Sequence, residues 1–433
     1  MEFSDLYKQT NSNLVSFSPD GKYLAVAVDH RLIIRNTDSP KTIHRVFSCT
    51  YDTLPYIEEL GWSSDSQFIL SASYAMNRVD VWCLADETWR CSIVDEVSCI
   101  EKAMWAGRHI LTFSELDLRL SIWSIENADD RRFIQFPKSR VPPVFHPDGD
   151  YMAVAQRHDY HDYIGIYNTS SWSMVKEIAV DTIDLAGLKW SPDGLHLVAW
   201  DLAGNFSAVI VNVGGIVKRV YTEDTLGVKS CEWAPSGQLL ALGGYDQKIR
   251  ILNHLTWRPL SVLVHRQAIP EKADVFNEVE IRQESRSEAR IRTRFDLAQS
   301  PAEIRVMHTV DVHRADPKMG VSILEFSADG EYLASVCEGM PNAVWIWKVD
   351  DMKLLFVAQT LRPIRACKWS PVEMILTFAT GTPTVYMWKL GEGLTVNEFV
   401  SANVMVSGLA WNPNGDCLAV MTKGLFLVGY LKE

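Results

Sequence analysis

Apolar and polar positions along this chain fall into a fixed order of four short runs. An alternating run such as VKSCEW leads into a turn. An apolar run such as YLAVAV, LLALGG or CLAVMT follows. After a brief polar turn comes a third run, seen as RLIIRN, RVDVWC, RLSIWS, YIGIYN, KIRILN, VWIWKV and TVYMWK, and a more polar fourth run such as WRCSIV or SMVKEI completes the unit. Alternation with period two and short apolar runs bounded by turn residues are strand signals. Four short antiparallel strands per period of roughly forty residues describe one blade of a β-propeller, so the pattern predicts an all-β chain.

The turn between the first and second runs makes the repeat countable. Phe17-Ser-Pro-Asp-Gly, Trp62-Ser-Ser-Asp-Ser, Phe145-His-Pro-Asp-Gly, Trp190-Ser-Pro-Asp-Gly, Trp233-Ala-Pro-Ser-Gly, Phe326-Ser-Ala-Asp-Gly, Trp369-Ser-Pro-Val-Glu and Trp411-Asn-Pro-Asn-Gly share one design, and Trp105-Ala-Gly reads as a shortened ninth copy. Proline presets the first turn dihedral, aspartate bonds nearby backbone and glycine takes positive φ without steric cost. The aromatic positions recur about every 43 residues, apart from one gap of about twice that. Nine copies predict a single propeller of nine four-stranded blades over residues 1–433. The last unit runs out before its outer strand, while EFSDLYK, Glu2 to Lys8, stands unassigned ahead of the first blade. That segment is expected to supply the missing strand and close the ring, because an unpaired sheet edge invites association.

The doubled gap marks an insertion over residues 266–318, between the sixth and seventh blades. Within it, EVEIRQESRSEARIRTR sets Glu278, Glu280, Arg282, Glu284, Arg286, Glu288, Arg290, Arg292 and Arg294 on even positions, with Val279, Ile281, Ala289, Ile291 and Phe295 on odd ones. This period predicts a β-hairpin turning near Ser285 to Ser287, with one charged and one mostly apolar face; a charge-mixed loop or short helix is the alternative. Arg282, Arg286, Arg290, Arg292 and Arg294 are candidates for docking an acidic partner.

Composition narrows the chemistry. With 47% hydrophobic and 22% charged residues the chain can bury a large core, and its formal net charge of -12 argues against phosphate-backbone binding. No apolar stretch long enough to span a bilayer and no signal-peptide pattern is present, so a soluble intracellular protein is expected. The eight cysteines form no Cys-x-x-Cys pair and read as reduced thiols. RHDYHDY is the densest set of potential ligands, with His158, Asp159, His161 and Asp162; two histidines alone do not make a zinc site, and an exposed hairpin loop available for partner contact, with His158, Asp159, Tyr160 and His161 as candidates, is the preferred reading. Esterase, metalloprotease and cysteine-nucleophile signatures are missing, so no catalytic residue, cofactor or metal is expected. The 15 tryptophans fall mostly at repeated positions, where packing between blades explains them.

These units resemble WD repeats, although the naming Trp-Asp pair is absent: Trp82 precedes Cys83, Trp123 precedes Ser124, Trp347 precedes Lys348 and Trp388 precedes Lys389. The buried Asp-His-Ser-Trp network of such repeats is therefore expected to be mostly missing. Through FSPDGKYLA at Phe17, GYDQKIRILNHLTW at Gly244, ADPKMGV at Ala315 and PNAVWIWKV at Pro341, the chain resembles the WD-repeat protein eight family, the antisense-to-p-fifty-three type, over nearly its whole length. The resemblance implies a noncatalytic adaptor at the centrosome or, in fungi, the spindle pole body. Its implied partners are a coiled-coil anchoring protein and, in fungi, a minus-end-directed kinesin; with them it would anchor microtubule minus ends, support the mitotic spindle and, in animals, assist cilium assembly. Microtubules or tubulin would be reached indirectly through these partners, with direct tubulin contact left open, and neither nucleic acid nor membrane is an expected partner. Two rivals remain: a translation-initiation propeller binding ribosome or initiation factors, and a propeller that binds or converts a small ligand in an axial pocket.

Overall fold

A computed structural model describes residues 1–10, 14–48, 56–127, 129–212, 214, 216–269, 273–284, 289–299, 301–306, 317–399 and 404–431. Among them the regular structure is strand throughout, apart from the single 3-10 turns Tyr74–Met76 and Glu115–Asp117. The strands form the nine blades of a β-propeller fold, shared between two compact units.

The first unit comprises residues 1–181 and 404–433. It holds blade one (Val15–Phe17, Tyr23–Val28, Arg31–Asn36, Ile43–Ser48), blade two (Glu59–Trp62, Phe68–Ser73, Arg78–Cys83, Arg90–Val94) and blade three (Ile100–Ala106, His109–Ser114, Arg119–Ser124, Arg131–Gln135). Blade four (Val144–Phe145, Tyr151–His158, His161–Asn168, Met174–Val180) and blade nine (Val406–Trp411, Cys417–Thr422, Leu425–Tyr430) also belong to it. The N-terminal segment completes blade nine as two pieces, β1 (Glu2–Phe3) and β2 (Tyr7–Lys8), both antiparallel to Leu425–Tyr430. Between them Ser4 N–H donates to Val428 O at 2.8 Å, and just past β2 Gln9 Nε2 donates to Thr422 O at 2.6 Å.

The second unit, residues 182–403, holds four blades. These are blade five (Leu185–Trp190, His196–Asp201, Phe206–Asn212, Val217–Glu223), blade six (Val228–Trp233, Leu239–Gly244, Lys248–Asn253, Pro259–Val264), blade seven (Val321–Phe326, Tyr332–Cys337, Ala343–Lys348, Lys353–Gln359) and blade eight (Ala366–Trp369, Ile375–Ala379, Thr384–Lys389, Gly393–Glu398). In both units the cores lie between successive blades, as where Trp233, Leu240 and Trp257 of blade six pack against Phe206 and Ile210 of blade five.

Local chemistry fixes the hairpin at the head of several blades. Ser18 Oγ donates to Asp20 Oδ1 at 2.6 Å and accepts from Tyr23 N–H at 2.9 Å; Ser63 and Ser327 repeat both bonds with Asp65 and Phe68, and with Asp329 and Tyr332. Gly21 takes φ +74, which favours glycine, and a Cβ there would displace the Asn414 amide, whose Nδ2 would lie 2.5 Å away. The serine is as much a part of the motif as the aspartate, since its buried hydroxyl saturates the turn.

Trp257 and Trp172 lie just before the outer strands Pro259–Val264 and Met174–Val180 rather than in them. They occupy the preceding turn at φ +55 and +54, their N–H groups bonded to Asn253 O and Asn168 O at 2.7 Å. Their buried rings pack edge-on against His196 and His109 of the preceding blade, so packing between blades holds an unfavourable backbone in place. Of the WD-type network, the bond from tryptophan to a second-strand hydroxyl persists in blades two, three and seven. Trp82, Trp123 and Trp347 donate through Nε1 to Ser71, Thr112 and Ser335 at 2.9, 2.8 and 2.9 Å. The hydroxyl partner lies on the second strand, so the bond survives loss of the adjacent aspartate.

Candidate protein-interaction surface

The insertion contributes β3 (Asp274–Glu284) and β4 (Ala289–Leu297), paired antiparallel from Phe276↔Leu297 to Glu284↔Ala289. β3 also pairs in parallel with β5 (Lys353–Gln359), the fourth strand of blade seven, over Asp274↔Phe356 to Asn277↔Gln359, which makes a six-stranded sheet. Blade seven thus has its outer edge covered by its own chain, a standard protection of an exposed ladder.

The register overturns the expected division of faces. Glu278 lies opposite Phe295 and Val279 opposite Arg294, so a residue of even number in the first arm shares a face with one of odd number in the second. Glu278, expected on the charged face, is buried; Val279, expected on the apolar face, is exposed. The buried carboxylate is matched: Tyr386 of blade eight donates its hydroxyl to Oε1 at 2.5 Å and Leu361 N–H donates to Oε2 at 2.8 Å. Burial, reinforced by the adjacent carboxylate, pushes the Tyr386 phenol above its ordinary value. Phe295 meets the Tyr386 ring edge-on at 5.5 Å, and Phe276 packs on Phe356.

Of the candidate arginines, Arg282, Arg290 and Arg292 lie on β3 and β4, opposite Ile291, Gln283 and Ile281. Arg294 is exposed and forms an ion pair with Asp296 at 2.8 Å. Arg286 lies outside the described residues.

In the first unit, His158 and His161 face each other across the turn between the second and third strands of blade four, with Asp159 and Tyr160 as its two central residues. His158 stacks on Tyr163 at 3.9 Å, with Nε2 3.2 Å from Glu177 Oε1 and Nδ1 3.4 Å from Asp159 Oδ2. Slight desolvation works against its charge, but the two carboxylates outweigh it and hold the imidazole above its ordinary pKa. Asp162 is buried, and both Lys138 and Arg157 reach it, at 3.2 and 3.5 Å. Tyr160 and His161 are exposed. Among the described residues, no group of three or more His, Cys, Asp or Glu side chains is placed to hold a metal.

Blades six and seven share a buried relay that sequence reasoning missed. Trp347 Nε1 donates to Ser335 Oγ, Ser335 lies 2.9 Å from His265 Nε2, and His265 Nδ1 lies 2.8 Å from Gln247 O. A carbonyl only accepts, so Nδ1 carries the proton and Nε2 accepts from the serine. Complete burial holds His265 neutral, with its pKa down at about 4. Gln247 and His265 precede the insertion, whereas Ser335 and Trp347 follow it, so no local motif announces the relay. Beside it lies a cleft of about 330 Å³ lined by Val262, Ile269, Trp345, Met352 and Leu354. Its walls are mostly apolar, with Arg266 and Lys353 the charged side chains among them.

With this geometry in place, comparison with known proteins narrows the class. The model of the WD domain, G-beta repeat, matches residues 215–253, which run from the outer strand of blade five through the third strand of blade six. The WD repeat-containing protein WRAP73 of Mus musculus is 34% identical over 452 residues, covering 100% of this chain and 96% of that protein. An uncharacterized WD repeat-containing protein of Schizosaccharomyces pombe is 23% identical over 387 residues, covering 86% and 77%. Among solved structures, the C-terminal WD40 domain of Sif2 aligns with a TM-score of 0.57 at 12% identity over 99% of each chain, a likeness of fold alone.

Proposed function

Because this chain belongs to the family of the WD repeat-containing protein WRAP73, we propose that it is an adaptor that anchors microtubule minus ends at the centrosome or spindle pole body. A scaffold or protein-interaction role follows from the family itself. The finer reading joins it to a coiled-coil anchoring protein and, in a fungal setting, to a minus-end-directed kinesin. The observation that carries it is similarity at 34% identity along the full length, rather than in one repeat. Its physical support is a set of blades in which the buried polar groups Asp162, Glu278 and His265 are each committed to partners within the fold. Loops and blade edges remain for binding.

Tagging the chain at its native locus and imaging dividing cells tests the proposal. Discrete foci at both poles, dispersed when the coiled-coil anchor is depleted, are expected. A diffuse signal that co-sediments with ribosomes would oppose it.

A further inference from the structure

The far edge of a blade's outer strand is a row of unpaired backbone groups, which proteins protect by covering it or by placing charge on it. Here β3 covers the outer strand of blade seven. Every other outer strand but one holds a charged residue, from Arg45 in blade one to Glu398 in blade eight and Lys8 in β2. The exception is blade six. Its outer strand, PLSVLV, has no charged residue, and among the described residues no strand pairs with its far edge. Leu260 is 55% and Val262 43% exposed, so apolar surface lies open along it as well.

The register shows which backbone groups that edge offers. Val264 lies opposite Lys248, and His265 N–H donates to Gln247 O at 3.5 Å. Bonded and non-bonded pairs alternate in an antiparallel ladder, so Leu263 and Ser261 bond inward to Ile249 and Ile251. The N–H and C=O of Val262 and Val264 therefore point away from the blade. Pro259, without an N–H, closes the start of the edge.

A cleft opens beside these groups. Val262, Leu263 and Val264 form one wall and Trp345, Met352 and Leu354 of blade seven another, and its volume of about 330 Å³ accepts a large apolar side chain. Charge brackets the strand: Arg258 and Arg266 stand exposed just before and after it, and neither forms an ion pair among the described residues. Lys353, on the cleft wall, is held by Asp351 at 3.1 Å. Glu303 and Arg305, further along, flank Ile304 and offset each other; Ile304 N–H donates to Gln267 O at 2.8 Å. A bare edge, an adjoining apolar cleft and a basic residue at each end describe the complement of one ligand form. We propose that blade six takes up an extended partner segment as a fifth strand, with one large apolar side chain in the cleft and acidic residues at its ends. The chain displays the same mode next door, where β3 adds to the outer strand of blade seven. The proposal rests on the adaptor reading above and narrows it to one edge and one partner chemistry.

The probe is a short labelled peptide of alternating valine and threonine around a central leucine, with aspartate at both ends. Fluorescence anisotropy with the full chain should show it binding. N-methylation of one alternate set of its residues should weaken binding about tenfold and of the other set leave it unchanged, because a strand turns one edge to its neighbour. Lysine at the peptide ends should also cost about tenfold, and Arg266→Glu should reverse that order. Val262→Pro removes an outward N–H while sparing the blade's own ladder, so affinity should fall about tenfold at unchanged Tm. Hydrogen exchange should find the Val262 and Val264 amides open in the free chain and protected by the peptide. No binding of the probe, equal binding of the two methylated sets, or indifference to both Val262→Pro and Arg266→Glu would overturn the proposal. So would amides protected before any peptide is added, or a dimer in sedimentation that Val262→Pro abolishes, because this chain or a second copy would then fill the edge. Failure of the probe with polar foci intact removes this site alone; binding of the probe without polar foci removes the polar location and leaves the site.

Discussion

His265 and Glu278 show how single buried ionisable groups set the stability of this fold. Unfolded, His265 takes up a proton below about pH 6.5; folded, it resists protonation down to about 4. Its contribution is therefore complete above pH 6.5, falls by about 1.4 kcal/mol per unit as the pH drops toward 4, and declines no further below that. Urea midpoints measured between pH 4 and 8 should trace this slope, and His265→Gln should flatten it. Tyr386→Phe removes the shortest hydrogen bond to the buried Glu278 carboxylate and should cost about 1–3 kcal/mol by the same denaturation assay. A change near zero would mean that Leu361 N–H and solvent suffice for that carboxylate. Neither role was legible in the sequence. Glu278 looked like one more charge in an alternating series, and its partner lies 108 residues away. The tryptophan positions were legible as packing sites because they repeat, whereas His265 does not.

At the scale of elements, the blade is legible wherever its chemistry is local. The Ser-Pro-Asp-Gly turns carry within a few residues the dihedrals and hydroxyl bonds that make a hairpin, so their count gives the blades. Pairing that depends on distant edges is harder to read. EFSDLYK could be matched to Leu425–Tyr430 because the last unit lacked a strand; the parallel seating of β3 on β5 leaves no comparable gap in the repeat. The division of faces failed for a stated geometric reason: period two holds within each arm, but the register across the turn inverts it. Removing residues 1–8 should expose the ladder of Leu425–Tyr430, lower the Tm by several degrees and give concentration-dependent association in sedimentation. An unchanged monomer of unchanged Tm would show that β1 and β2 contribute little to blade nine.

For the whole molecule, nine blades at a net charge of -12 offer many loop surfaces and, among the described residues, no cluster built to hold a metal. The full-length likeness to WRAP73 gives the chain a family, and with it a scaffold or protein-interaction role. The adaptor reading is tested most directly by purifying the natively tagged chain from dividing cells and identifying by quantitative mass spectrometry what comes with it in amounts near its own. The account predicts a coiled-coil anchoring protein in roughly stoichiometric amount, retained through a salt wash mild enough to spare an apolar contact. Near-stoichiometric recovery of ribosomal proteins or initiation factors, with no microtubule-anchoring partner, would contradict it.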